Sequence, residues 1–440
     1  MQEVRNCVEE MKKSLLYLYR VTFVVMLLAM AWQTGMHLWM YYQGAYGYDY
    51  GCINEMLINY EGGFVRRGLF GEILFGMRSI FSFSIAHAIV IIYYTGFLSL
   101  AVLLVRLFIK NGWSLFILPF PICMYVYLCD PYFLVGRRDC WLVLMAYLCF
   151  GLYHRYIKTG GGTLSLALCN ICLIFCVLFH EASLFFILPL IVIHDFNKMY
   201  KQERFIISIK KTFMHWGPVF ITAAFVIFYH GDGEIVTKIW SSWAQYLKCH
   251  VDESLIKESY MSRTLGGKSL LINIEEAWEV SWFPNIIGDI PVAPFNLYIL
   301  ACIYYLVTRI NLVDLKIYKL KLINEVSLSN SILIVFLFLL VYIMITCDWG
   351  RDMPCWVICS MMFYHFFQEV DDYPVFVTKI STRLQKSINR VALLNKDWFY
   401  YILIMTLPLG FVSASISSMF PCLPLQLKHL IVDGSLMIVN

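Results

Sequence analysis

Five groups of charged residues interrupt an otherwise apolar chain of 440 residues. They are Tyr48-Asp49-Tyr50, Glu61-Gly-Gly-Phe-Val-Arg66-Arg67-Gly, Gly136-Arg137-Arg138-Asp139, His180-Glu181 and Asp348-Trp-Gly-Arg351-Asp352. Arginine fixes the chemistry these groups suit. Its planar fork makes bidentate, charge-assisted hydrogen bonds to phosphate oxygens, and it keeps its charge at any accessible pH. Several arginines converging on one spot suit a diphosphate held at a membrane surface, such as a polyprenyl-diphosphate headgroup. Neighbouring acids would orient the arginines or accept a proton.

Each group also has a plainer reading. Arg66-Arg67 would serve as a solvated juxtamembrane pair after a glycine turn, and Asp139 as the cap of a following helix. His180-Glu181 would be a tight turn wetted by headgroups, and Asp348 to Asp352 a local ion pair worth little. The site reading is preferred because ionisable groups at membrane depth are costly and mark functional cavities.

The elements that must position these residues follow from composition. Hydrophobic residues make up 60% of the chain and charged residues 15%, with a mean hydropathy of +0.68. A water-soluble domain does not have this balance. The apolar residues fall into blocks long enough for a helix to cross about 30 Å of hydrocarbon, whereas a membrane β-barrel would show short alternating segments. The expected fold class is therefore all-α, a polytopic integral membrane protein of about eleven transmembrane helices. Spans are expected near 15–40, 81–109, 113–129, 140–157, 163–179, 182–194, 212–229, 292–309, 330–347, 353–367 and 398–420. The sixth is short and carries Pro189, which would kink it.

Residues 1–440 read as a single transmembrane domain with two long outer segments, 41–80 and 230–291. The second holds Trp240, Trp243, Trp278 and Trp282 among mixed charges, a composition suited to interfacial helices forming a lid or vestibule wall. The first block, from Leu15 to Met40, is too long for a signal-peptide core and lacks a cleavage site after it, so it is read as retained. With a cytoplasmic N-terminus, roughly 22 of the 34 basic residues fall on inner segments, as the positive-inside rule expects. The C-terminus is then outside, and every charged group named above lies at an outer helix end. Five arginines, Arg66, Arg67, Arg137, Arg138 and Arg351, stand on the side that this rule keeps poor in them.

Other features are set aside. The net charge of +4 is too small to suggest nucleic-acid binding. The 15 cysteines lie mostly in apolar segments as small hydrophobes and outline no disulfide framework. Cys169 and Cys172 have redox spacing but no nearby basic group, and are expected in the core. His37 and His87 are also expected as core residues. No metal-ligand spacing is found, so neither a metal nor a cofactor is expected. Arg263 to Ser269 ends like a phosphate-binding loop, but Ser262 stands where that pattern requires glycine.

Taken together, the spans, the large late outer loop and the motifs Gly-Phe-Val-Arg66-Arg67-Gly, Gly-Arg137-Arg138-Asp139, His180-Glu181 and Asp348-Trp-Gly-Arg351-Asp352 resemble the Wzy-type polymerases of bacterial O-antigen and capsule repeat units, a group with a GT-C-like fold. The resemblance implies an inner-membrane glycosyltransferase that moves a growing glycan from undecaprenyl diphosphate onto an incoming lipid-linked repeat on the periplasmic side. It implies that Arg66, Arg67, Arg137, Arg138 and Arg351 bind diphosphate. Glu181, with His180 and Asp348 as rivals, would accept the hydroxyl proton, and Asp139, Asp352 and Asp49 would orient their neighbours. Implied partners are undecaprenyl-diphosphate-linked glycans, membrane lipids and a chain-length regulator protein. The late outer loop departs from the family pattern, offering only Arg263 among four lysines where many polymerases are arginine-rich. Two alternatives stay open: another GT-C transferase using a polyprenyl-phosphate sugar with Asp49 as base, and a lipid-linked-oligosaccharide transporter or flippase, which would need mid-span polar groups and repeat symmetry.

Overall fold

A computed structural model describes residues 56–111, 138–229, 231–244, 292–309, 323–343 and 349–406, with isolated positions before residue 22. The expected spans at 15–40 and 113–129, most of 245–291 including Arg263 to Ser269, and the end of the last span lie outside the described residues. So do Asp49, Arg137, Asp348 and His37.

The described residues form helices without strands. In chain order these are α1 (Leu69–Phe81), α2 (Ile85–Asn111), α3 (Asp139–Lys158), α4 (Thr163–Phe179), α5 (Ser183–Phe186), α6 (Leu188–Tyr200), α7 (Phe205–Phe228), α8 (Gly233–Ala244), α9 (Val292–Thr308), α10 (Glu325–Ile343), α11 (Trp349–Phe366), α12 (Val375–Arg390) and α13 (Asp397–Thr406). A short 3-10 turn, Val370–Asp372, joins α11 to α12. Among the described residues five stretches are long and apolar enough to cross a membrane: His87–Leu107, Asp139–Lys158, Ser183–Tyr200, Phe205–Phe228 and Glu325–Tyr342. Thr163–Phe179, Leu297–Thr308 and Cys355–Phe366 are shorter apolar helices.

The break between α5 and α6 falls at Ile187, two residues before Pro189. Proline has no N–H to offer the carbonyl four residues back, and its ring crowds that carbonyl. The result is one helical turn followed by a full helix. Within the segment read as the first outer loop, residues 69–81 are helical.

Helix α3 packs on α4, α2 and α11, α4 also on α7, and α10 on α11, α12 and the α5–α6 pair. Trp216, Trp356, Tyr153, Phe150 and Phe363 fill the space between these helices. Burying an aromatic side chain of this size removes roughly 150–250 Å² from solvent. A second, smaller core joins Met56, Leu57, Ile58 and Val65 to Leu74, Ile85, Ile89, Val236, Ile239 and Trp240. It clamps the loop carrying Arg66 and Arg67 between α1, α2 and α8. Trp240, read from the sequence as a headgroup residue, is buried in this second core. His87, expected in the core, is exposed on α2, because the buried stripe of that helix runs through Ile85, Ile89 and Tyr93.

Candidate functional site

The antiparallel order of the helices brings the ends of α4, α7 and α10 and the starts of α1, α3 and α8 to one end of the bundle. Three of the charged groups singled out in the sequence meet there. Arg66, Arg67, Arg138, Asp139, His180 and Glu181 are all buried, although separated by 71 and 114 residues along the chain at the closest contacts.

The centre is the Arg67–Glu181 pair. Arg67 Nε donates to Glu181 Oε1 and Oε2 at 3.0 and 2.8 Å, and Nη2 donates to Oε1 at 2.5 Å. Arg66 Nη1 stands 3.9 Å from the same Oε1. Burial by itself would raise the Glu181 pKa, but Arg67, with His180 and Arg66, outweighs it and holds the carboxyl well below its ordinary value. Burial pulls Arg66 down from its ordinary value, opposed by Glu181. Two guanidiniums therefore face the one carboxylate of Glu181.

Local sequence explains how each group is held. Arg67 has φ +68°, a left-handed backbone that a residue with a Cβ rarely adopts and that costs about 1–3 kcal/mol. Its carbonyl receives Nη1 of Arg138 at 2.7 Å, so Arg138 fastens the strained turn. The Arg138 guanidinium also lies 5.6 Å from the centre of the Phe179 ring, within cation–π range. Asp139 occupies the first turn of α3, where the helix dipole favours a carboxylate.

The glycines around the arginines are contact residues. A Cβ on Gly71 would lie 2.0 Å from the Ile58 carbonyl oxygen, and one on Gly68 would lie 2.3 Å from the Tyr60 ring. The loop thus folds back on itself, with Tyr60 N–H donating to Glu72 at 2.9 Å. Phe64 packs on Phe225 with ring centres 4.5 Å apart, tying the loop to the end of α7. Phe70 meets Phe179 edge-on at 5.4 Å. Burial, followed by the charge of Glu72, pushes Tyr60 up to about 12, with Arg138 opposing, so Tyr60 is a neutral phenol beside the arginines.

His180 ends α4, and its Nδ1 accepts the Ala182 N–H at 3.1 Å. In the neutral ring the proton is therefore on Nε2, which makes that nitrogen a donor. The Asp348 to Asp352 group follows the end of α10 and opens α11. Arg351 and Asp352 are placed as backbone in the first turn of α11, and Tyr342, at the end of α10, interacts electrostatically with Arg66. The start of α11 thus stands at the same end of the bundle.

Sequence reasoning missed Tyr60, Phe179 and Tyr342. The two glycines before Arg66 were read as a turn, but nothing at 342 distinguishes that tyrosine from its apolar neighbours.

Among the described residues one group of metal-ligating type closes up elsewhere. The Sγ atoms of Cys149, Cys172 and Cys176 lie within 4.8 Å of one another, between the middle of α3 and the second half of α4. Cys172 points its thiol at the Met145 carbonyl at 3.8 Å and Cys169 points its own at the Cys149 carbonyl at 3.5 Å, as buried thiols do when they act as small hydrophobes.

The helices and this site define a helical protein with membrane-spanning segments and a buried arginine–carboxylate centre at one end. Comparison with models of known families, with curated proteins and with solved structures finds no match in any of the three.

Proposed function

We propose that the protein is a glycosyltransferase of the bacterial inner membrane, a polymerase of lipid-linked oligosaccharide repeats, working at the arginine centre on the periplasmic side with its N-terminus in the cytoplasm. The observation that carries the reading is the burial of Arg66, Arg67 and Arg138 together at one end of the bundle, the first two beside Glu181 and the third on the Arg67 carbonyl. Most of the described lysines and arginines between 155 and 211, and between 309 and 396, attach to the opposite end, the distribution expected of a cytoplasmic face.

In this reading the bond between the glycan's anomeric carbon and the diphosphate oxygen breaks, and the electron pair leaves with undecaprenyl diphosphate. A hydroxyl of the incoming repeat forms the new glycosidic bond and gives up its proton. Arg66 and Arg138, with Arg137 and Arg351, neutralise the departing diphosphate, an electrostatic contribution of about 3–4 kcal/mol per well-placed donor. Glu181 is a positioning residue here rather than the base. A carboxylate clamped by a bidentate guanidinium is too weak a base, since a general base works best near the ambient pH. His180 Nδ1 is occupied by the Ala182 N–H, and in the neutral ring the proton then sits on Nε2. Asp348 is left as the acceptor among the residues expected to fill that role.

The test is a host that accumulates single lipid-linked repeats, complemented with the wild type or with Arg138→Ala at matched membrane abundance. The wild type is expected to give a ladder of glycan lengths and the variant single repeats only. A ladder unchanged by Arg138→Ala would remove the arginine centre from the mechanism, and no ladder with the wild type would overturn the polymerase reading.

A further inference from the structure

The end of the bundle opposite Glu181 carries a surface that the proposed chemistry does not use. Helix α12 packs there through Val377 and Ser381. Asn330 Nδ2 donates to Thr378 Oγ1 at 3.0 Å, and Gln385 Nε2 donates to the Glu325 carbonyl at 2.9 Å. At 3.6 residues per turn the remaining surface divides into two stripes. Phe376, Ile380 and Leu384 form one and are 56%, 41% and 38% exposed. Lys379, Arg383, Lys386 and Arg390 form the other, all exposed, and no ion pair neutralises them among the described residues. The apolar stripe continues past the helix through Val391, Leu393 and Trp398, each about half exposed.

Beside the cationic stripe runs a groove lined by four cations, Lys201, Lys379, Arg383 and Lys386, with Thr378 and one acid, Asp371. Lys201 donates to the Asp371 carbonyl, which sets the ammonium at the groove wall.

We propose that α12 lies in the plane of the adjoining leaflet, with Phe376, Ile380 and Leu384 among the acyl chains, and that the groove takes the phosphate of an anionic phospholipid. Two things on the molecule identify the occupant. Helices α6 and α10, which belong to the stretches able to cross a membrane, end and begin beside α12, so the stripe stands at the level where a bilayer boundary falls. An apolar stripe flanked by unneutralised cations is also the pattern that anionic headgroups over acyl chains complement on both counts. A water-facing helix would have no cover for three large apolar side chains in a row. Each cation near an anionic leaflet is worth roughly fivefold in partitioning, and the Thr378 hydroxyl, which accepts from Asn330, keeps its own proton as a neutral donor to the phosphate.

The full chain in neutral detergent is titrated with dioleoyl phosphatidylglycerol, with dioleoyl phosphatidylcholine and with inorganic phosphate, following the thermal midpoint by intrinsic fluorescence. Phosphatidylglycerol is expected to raise the midpoint, with the other two nearly without effect. K379Q/R383Q/K386Q is expected to weaken the apparent phosphatidylglycerol affinity at least tenfold, F376S/I380S/L384S to weaken it as well, and K379R/K386R to retain it. These positions are exposed, so the lipid-free midpoints should match the wild type. Equal responses to the two lipids in the wild type, or a full phosphatidylglycerol response in the charge-neutral variant, would overturn the proposal. So would phosphate alone reproducing the effect, which would make the groove a site for free anions.

Discussion

Removing the Glu181 carboxylate perturbs the site most directly, and its cost follows from the geometry. The Arg67 and Glu181 side chains are 9% and 5% exposed, and a second guanidinium, Arg66, stands 3.9 Å away. Glu181→Ala would strand two buried cations, a loss of about 3–5 kcal/mol when one partner of such a pair goes. Glu181→Gln keeps an acceptor but no charge, and is expected to cost about 1.5–3 kcal/mol. The double change Arg67→Met/Glu181→Leu removes both charges and fills similar volume, so it should be more stable than Glu181→Ala, because desolvating the pair offsets much of its attraction. Stability is read by denaturant titration of the purified protein, and function by the glycan ladder. The double variant should therefore fold and yet make no ladder. A Glu181→Ala protein as stable as the wild type would refute the claim that this pair holds the loop. A double variant with normal activity would refute the claim that charge at this spot matters to the reaction.

Acid should act through the same carboxylate. The folded pKa of Glu181 lies well below its ordinary 4.5, so its contribution is complete above about pH 5 and fades as the pH falls below 4.5 toward the folded value. Stability measured from pH 7 downward should drop more steeply in the wild type than in Glu181→Gln. Arg138→Lys keeps a charge but loses the fork that reaches the Arg67 carbonyl while facing Phe179. A loss of about 2 kcal/mol, or roughly 30-fold in polymerisation rate, is expected with little change in abundance. Gly71→Ala would push a methyl into the Ile58 carbonyl and should destabilise by about 1–3 kcal/mol, seen as lower thermal tolerance. At the other end, Asp195 accepts from Trp216 Nε1 at 2.9 Å and sits 3.0 Å from His215 Nδ1. Asp195→Ala should cost about 1–3 kcal/mol and alter the Trp216 fluorescence without touching the arginine centre.

Much of this architecture was legible from simple physics. Apolar blocks had to become helices because a chain in hydrocarbon must satisfy its own backbone, and α3, α4 and α7 stand close to where their blocks lie. The boundaries of α1 and α8 were hidden, since both fall in mixed-polarity segments where helix formation depends on tertiary partners such as Trp240. For the site, residue type carried the signal: Arg66, Arg67, Arg138, His180 and Glu181 were conspicuous as charges in the wrong places, and they do meet. Their division of labour was not visible. Which arginine would clamp Glu181 depends on the left-handed turn at Arg67, and that turn depends on Gly68 and Gly71 allowing the loop to lie against Tyr60 and Ile58. Tyr342 came to the site through helix packing, a relation that no local pattern encodes.

The interruption at Ile187 gives Glu181 a mechanical setting of its own. The carboxylate sits two residues before the single helical turn of α5, which is separated from the long shaft of α6 at Ile187, just ahead of Pro189. A small tilt of residues 180–187 would be taken up at that joint rather than along α6, and would be felt first where Phe185 packs on Tyr342, ring centres 4.5 Å apart. Any change in how Glu181 meets Arg67 would then begin as a local pivot rather than a rearrangement of the whole bundle.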